Sequence, residues 1–186
     1  MNDFFIQFKI NPNSNNTDMY GLLKNILFQL SPEKAHHFTM KMLKICSNIG
    51  LSRSILRSIC LPKAKNLGQT LWGIHFQNPV GLAAGFDKDA KYIDVLEHVG
   101  FGFIEIGTLT PKGQEGNPQP RLFRLPKDNA LINRMGFNNE GVDAAVLRLQ
   151  KRKSKIIVGG NIGKNKVTPN EQADDDYEYC FKALYN

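Results

Sequence analysis

Cysteine is scarce in this chain of 186 residues, and the three present, Cys46, Cys60 and Cys180, stand far apart. No CxxC pair occurs and no histidine falls at a spacing that would complete a zinc site, so neither a disulfide scaffold nor a metal site is expected. Free thiols in a reducing compartment are the simpler reading. No apolar run approaches the length of a bilayer span, and the N-terminus has no basic stretch leading into a continuous apolar one. The sequence therefore offers no reading as a spanning or secreted segment. Repeats and low-complexity tracts are missing too, which leaves the composition of an ordinary soluble protein.

What is present in excess is positive charge, and it is unevenly placed. Residues 1–70 hold nine Lys and Arg against three acids, while residues 71–186 hold fifteen against fourteen, so +6 of the net +7 lies in the first segment. Residues 1–18, ending in "NPNSNNTD", read as a polar leader. Met19, Leu22, Leu23, Ile26, Leu27 and Leu30 then recur at the spacing of one helix face. Ser31-Pro32-Glu33 supplies a hydroxyl cap and a proline at the first helical position for a second helix. Phe38, Met42, Ile45, Cys46 and Ile49 line one side of it, and a third short helix is expected from about Ser52 to Leu61-Pro62. Residues 19–66 thus form a helical unit.

From residue 67 to 186 the pattern becomes strand, loop, helix. "NPVGLAAG", "GFGFIEIGTLT" and "KIIVGGNIG" are apolar runs that end in small residues, as strands of a parallel sheet buried on both faces do. Between them, Val142, Ala145, Val146 and Leu149 make a helical stripe, closed by Lys151, Arg152 and Lys153 at the negative end of the helix dipole. Thr168-Pro169-Asn170-Glu171 predicts a capping box for a last helix carrying Tyr177, Cys180, Phe181 and Leu184 on one face. An α/β architecture follows. Three strand-helix units fit either a small three-layer sandwich or part of a larger (β/α)8 barrel, which needs eight.

Ligands in parallel α/β folds bind beyond the carboxyl ends of the strands. Those ends offer Ala83-Ala84-Gly85 with Lys88, then Gly107-Thr108, then Asn161 with Gly163. Small residues admit a flat ligand against the backbone, and Lys88 could set a positive charge against an anionic group. Equally, Gly85 could simply make a turn, with Asp87-Lys88-Asp89 as a solvated helix start. In "NALINRMGFNN", Asn133 and Arg134 put an amide and a guanidinium beside a tight turn, suited to a planar carboxylate or amide; an asparagine-rich loop is the plain alternative. The prolines and glycines of "PKGQEGNPQPRLFRL" read as loop punctuation.

Four blocks in order, "NPVGLAAGFDKDA", "GFGFIEIGTLTPKGQEGNPQPRLFRL", "NALINRMGFNNEGVD" and "NIGKNKVTPNEQADDDY", closely resemble the N-terminal half of class 2, quinone-dependent dihydroorotate dehydrogenases. "LFQLSPEKAHHFTMKML" resembles that class's helical N-terminal domain. The resemblance implies the first part of a (β/α)8 TIM barrel that holds FMN at its strand ends and oxidises dihydroorotate to orotate in pyrimidine biosynthesis. It implies flavin contacts at Ala84, Gly85, Phe86, Asp87, Lys88, Thr108 and Asn161. It implies substrate contacts at Lys88 and along Asn133, Arg134, Met135, Gly136 and Phe137. Gly160 departs from the family, which more usually has a small aliphatic residue there.

The family's base is a serine on the loop after the next strand, and it is expected beyond Asn186. Of the serines present, Ser14, Ser31, Ser47, Ser52, Ser54 and Ser58 belong to the leader and helical segment, and Ser154 precedes a strand. Cys180 sits on an apolar stripe. The expectation is a chain that binds FMN weakly and does not turn over, or else a non-catalytic remnant acting as a flavin-binding or membrane-associated module. In the family the helical segment lies on the membrane and leads a quinone to the flavin, which its basic residues beside apolar stripes would suit. A nucleic-acid partner is disfavoured, since the basic residues are not interleaved with exposed aromatics. The acids in residues 1–18, with no arginine, favour the cytoplasmic side of a bacterial inner membrane over a mitochondrion.

Overall fold

The computed structural model describes residues 17–64 and 66–185; the leader through residue 16 lies outside them. Its centre is a parallel sheet in the order β3 (Gly81–Leu82), β4 (Phe103–Leu109), β7 (Ile157–Ile162). Phe103 pairs with Gly81 on one side and Ile157 on the other. The crossovers carry α4 (Ile93–Leu96) between β3 and β4, α5 (Val142–Lys151) between β4 and β7, and α6 (Ala173–Tyr185) after β7. Alternation along β4 sends Ile104 and Ile106 into a core they share with Ile93, Leu96, Val142, Ala145 and Cys180. Parallel strands covered by helices in this way are the layer plan of a (β/α) barrel, of which these elements are a part.

The alternation breaks at Gly107. The β4–β7 register is continuous through Ile106 and resumes only at Leu109, which pairs with Ile162. This bulge returns Leu109 to the buried face and turns Thr108 to the opposite one. Gly107 has φ +103, and a Cβ there would lie 2.3 Å from the Asn161 carbonyl oxygen, so only glycine fits between the two strands.

Two antiparallel hairpins flank the sheet. One is β1 (Gln69–Leu71) with β2 (Ile74–Phe76), the other β5 (Leu122–Leu125) with β6 (Ala130–Asn133). The second lies where turn-forming residues suggested loops. The "RLFRL" and "NALIN" segments satisfy each other's backbone groups, with Leu122 opposite Asn133, so Asn133 ends a strand instead of standing in an asparagine-rich loop.

The front helices are α1 (Thr17–Leu27), α2 (Pro32–Ser47) and α3 (Gly50–Cys60). Pro32 opens α2 as expected, but the Ser31 hydroxyl makes no capping bond. The apolar stripes expected on these helices face outward: Leu22, Leu23 and Ile26 on α1, and Phe38, Met42, Ile45 and Ile49 along and just past α2, are all exposed. What docks α2 is Ala35 together with Met40, which is 1% exposed and belongs to the core around Ile93 and Leu96. The last helix also departs from expectation. A short 3-10 turn, Asn170–Gln172, precedes α6, and the Thr168 hydroxyl donates to Asp176 at 2.7 Å instead of capping.

Candidate functional site

The carboxyl ends of β3, β4 and β7 meet around the Gly107 bulge. Gly85, at φ +99, donates its N–H to the Gly107 carbonyl at 2.8 Å, tying the turn after β3 to the bulge. A Cβ at Gly85 would meet no atom within 4 Å, so open space stands over this turn. Thr108, re-aimed by the bulge, donates its hydroxyl to Asn161 Oδ1 at 2.6 Å. Asn161 Nδ2 donates in turn to Glu105 Oε1 at 3.1 Å. Glu105 thereby fixes which way the Asn161 amide faces. Strand parity carries the signal for Glu105, two residues before Gly107 on the non-core face, but a lone acid in an apolar run did not single itself out.

Within Asp87-Lys88-Asp89 the neighbours do different work. Asp87 is 2% exposed, and its carboxylate accepts the N–H groups of Lys91 at 2.9 Å and Tyr92 at 2.8 Å. Burial pushes its carboxyl above the ordinary value, while these two bonds pull it back. Asp89 accepts the Glu140 N–H at 2.8 Å. Neither the solvated helix start nor a free acid describes them; both carboxylates organise backbone. Lys88 is half-buried and donates Nζ to Asn138 Oδ1 at 2.5 Å. Burial, then the nearby Arg121 charge, lowers its ammonium below the ordinary value, against the opposite pull of Glu33 and Asp89.

Asn138 directly follows Phe137, so Lys88 is brought to the end of the "NRMGF" segment. In that segment Asn133 Oδ1 accepts the Met135 N–H at 3.4 Å. Arg134 donates to the Pro120 carbonyl at 3.0 Å and lies over the Phe123 ring, 5.4 Å from its centroid. Asn117 binds the carbonyls of Arg134 and Met135 from outside, through its side chain at 2.8 Å and its N–H at 3.0 Å. Phe137, at φ +52, is exposed. Below this loop a buried polar cluster joins the strand ends: Asn139 and Asn165 both donate to the Thr110 hydroxyl, at 2.9 and 3.1 Å.

A second cluster links α2 to the site. Arg121, 8% exposed, grips the Glu33 carboxylate with Nη2 at 2.6 Å and Nε at 3.3 Å, and donates Nη1 to the carbonyls of Glu115 and Asn117. One turn along α2, His36 packs edge-on against Phe86 at 4.8 Å between centroids. Burial, then the charges of His37 and Lys88, lowers the His36 imidazole. The family resemblance implied a flavin contact at Phe86, but nothing in the sequence pointed to Glu33, His36 or Arg121, whose meeting depends on how α2 docks.

Residues 66–186 match the family model described as "Dihydroorotate dehydrogenase". The chain belongs to the dihydroorotate dehydrogenase family. It is 53% identical over 166 residues to the dihydroorotate dehydrogenase (quinone) of Christiangramia forsetii, covering 89% of this chain and 48% of that relative. The same-named protein of Acinetobacter baylyi is 52% identical over 168 residues, covering 90% of this chain and 48% of its own length. Among solved structures, the dihydroorotate dehydrogenase of Eimeria tenella in complex with ferulenol superposes with a TM-score of 0.63 at 38% identity, covering 86% of this chain and 44% of that one. The ligand-free Eimeria tenella structure gives 0.58 at 42% identity, covering 72% and 41%. The chain spans about half the length of the curated relatives it matches. Relatives named for the quinone enzyme thus match most of this chain, helices and sheet alike.

Neither sequence candidate for a base stands at a strand's carboxyl end. Ser154 precedes β7 and accepts the Ile156 N–H at 3.1 Å. Cys180 is buried in the core, where burial pushes its thiol up to about 11.

Proposed function

We propose that this chain carries the flavin-facing and substrate-facing first part of a quinone-dependent dihydroorotate dehydrogenase, the enzyme that oxidises dihydroorotate to orotate in pyrimidine biosynthesis. The observation that carries the reading is the Lys88 to Asn138 contact. It brings Lys88, which the family resemblance gives to both flavin and substrate, to the end of the loop that the resemblance gives to the substrate.

The residues present suit FMN: the space over Gly85, the Thr108–Asn161–Glu105 chain of hydrogen bonds and the Lys88 ammonium offer a flat floor with a polar edge. When bound, FMN supplies the hydride-accepting chemistry that protein side chains lack. Lys88 holds positive charge where an anionic ring system would gather electron density, and its partial burial strengthens that charge's effect. Asn133 and the backbone of Arg134 to Phe137 hold and orient the planar substrate, so that proton loss from C5 and hydride loss from C6 occur from one fixed pose. The C5 proton goes to a base outside residues 17–185. The outward apolar rows of α1 and α2 support attachment to the cytoplasmic face of an inner membrane, with access for a quinone. Among the described residues no helix is long and apolar enough to cross a membrane.

FMN fluorescence quenching by the purified chain tests the site. Weak, saturable binding is expected, with Asn161→Ala and Lys88→Ala each weakening it; quenching unaltered by both changes would sink the assignment. The outward apolar rows of α1 and α2 also suit a second reading, a flavin-binding or membrane-associated module without turnover. Dihydroorotate-dependent quinone reduction by the chain alone would exclude it, and none is expected.

A further inference from the structure

A concavity of about 650 Å³, away from the strand ends, opens where α2 faces α4 and α5. Lys41 and Lys44 enter it from α2, Lys91 from beside α4, Arg148 and Lys151 from α5, and Arg152 from just past its end. Some of this charge is committed. Lys91 and Arg148 both reach Glu140, Arg148 donates to the Asp89 carbonyl at 2.9 Å, and Arg152 to the Ile156 carbonyl at 3.3 Å. Asp94, the acid in the lining, accepts the N–H groups of Lys153 and Ser154 at 2.9 and 2.8 Å. Among the described residues no carboxylate pairs with Lys41, Lys44 or Lys151.

Ammonium groups carried by two different helices around one concavity repel one another, an excess that Asp94 alone does not balance, and an anion between them reduces that cost. The volume lies in the range of small-molecule sites. Lysine is a common partner of phosphate as a point charge, and the arginines beside it offer planar donors. We propose that this concavity binds a phosphate ester. The reading is independent of the flavin site, and nothing in the proposed oxidation uses it. Two sources share the chemistry: the phosphodiester of an anionic lipid headgroup, favoured by the exposed Phe38, Met42 and Ile45 on the adjoining face of α2, and a soluble phosphate ester.

The test titrates the 186-residue chain calorimetrically with glycerol phosphate and with a short-chain phosphatidylglycerol below its micelle-forming concentration. Saturable binding of at least one is expected. The triple change Lys41→Gln, Lys44→Gln, Lys151→Gln should weaken it about tenfold or more. A control of equal charge, Lys127→Gln, Lys155→Gln, Lys166→Gln, should weaken it less than about twofold. Equal affinity for the two ligands assigns the site to a soluble ester, and binding of the acylated ligand alone, reduced by Phe38→Ser, assigns it to a lipid; both support the site. Equal losses from the two triple changes, or no binding of either ligand, overturn it. Flotation with anionic and zwitterionic vesicles tests membrane attachment separately, since failure to float leaves the titration unaffected.

Discussion

At the scale of single residues, Lys88 holds the tension between stability and function. Its ammonium is half-buried and lowered in affinity for its proton, so the charged form costs stability at every pH below its folded value. That cost fades as pH rises through this lowered value towards the ordinary 10.5. Lys88→Met should therefore melt no lower than the parent near pH 7, while FMN affinity falls by about tenfold or more. A lower melting temperature with unchanged FMN affinity would contradict the role given to it. Gly160 is the opposite case. A Cβ there would come 2.6 Å from Leu184 Cδ1, the far end of a flexible side chain that can move aside. Gly160→Ala is expected to be neutral or to raise stability by up to about 1 kcal/mol, because glycine is unfavourable inside a strand; denaturant unfolding would show a loss if Leu184 cannot shift.

At the scale of elements, the Gly107 bulge decides what β4 presents. The strand was legible from its apolar run, and Ile104 and Ile106 face the core as period-two alternation requires. Thr108 was placed at the site by its position at the strand end and by family resemblance, but not by alternation, which unbroken would have put it on the face of Ile106. Hairpin β5–β6 was missed for a related reason: its pairing joins residues across Pro126 and Asn129, and local turn signals outweighed the strand character of "RLFRL". Gly107→Ala puts a methyl group onto the Asn161 carbonyl at an unfavourable φ. A loss of about 2–4 kcal/mol in unfolding free energy is expected, with FMN binding lost as well. Wild-type stability in this variant would show that the strands can separate without consequence.

At the scale of the whole molecule, Arg121 and Glu33 join the helical front to the barrel portion. Arg121's hydrogen bonds hold Glu33 below its ordinary 4.5; burial opposes them, and Arg121's charge adds to them. For a carboxylate depressed in this way, the stabilisation is fully present above that ordinary value and is lost as pH falls through the folded one. Glu33→Gln should cost about 2 kcal/mol at neutral pH and flatten the acid limb of the stability profile. Parallel acid limbs for the two proteins would show that the pair contributes nothing. The sequence revealed both partners' segments but not their meeting, because a contact between residues 33 and 121 depends on docking and leaves no periodic trace.

Met40 carries the same junction into the interior. Because its side chain completes packing around Ile93 and Leu96, α2 cannot lift away without uncovering them to water. Its amides should therefore exchange with solvent deuterium at rates close to those of β4, as parts of one cooperative unit, while α3, with no buried residue, exchanges far sooner. With one side exposed and the other set in this core, α2 would then also report, through its exchange, on the state of the sheet behind it.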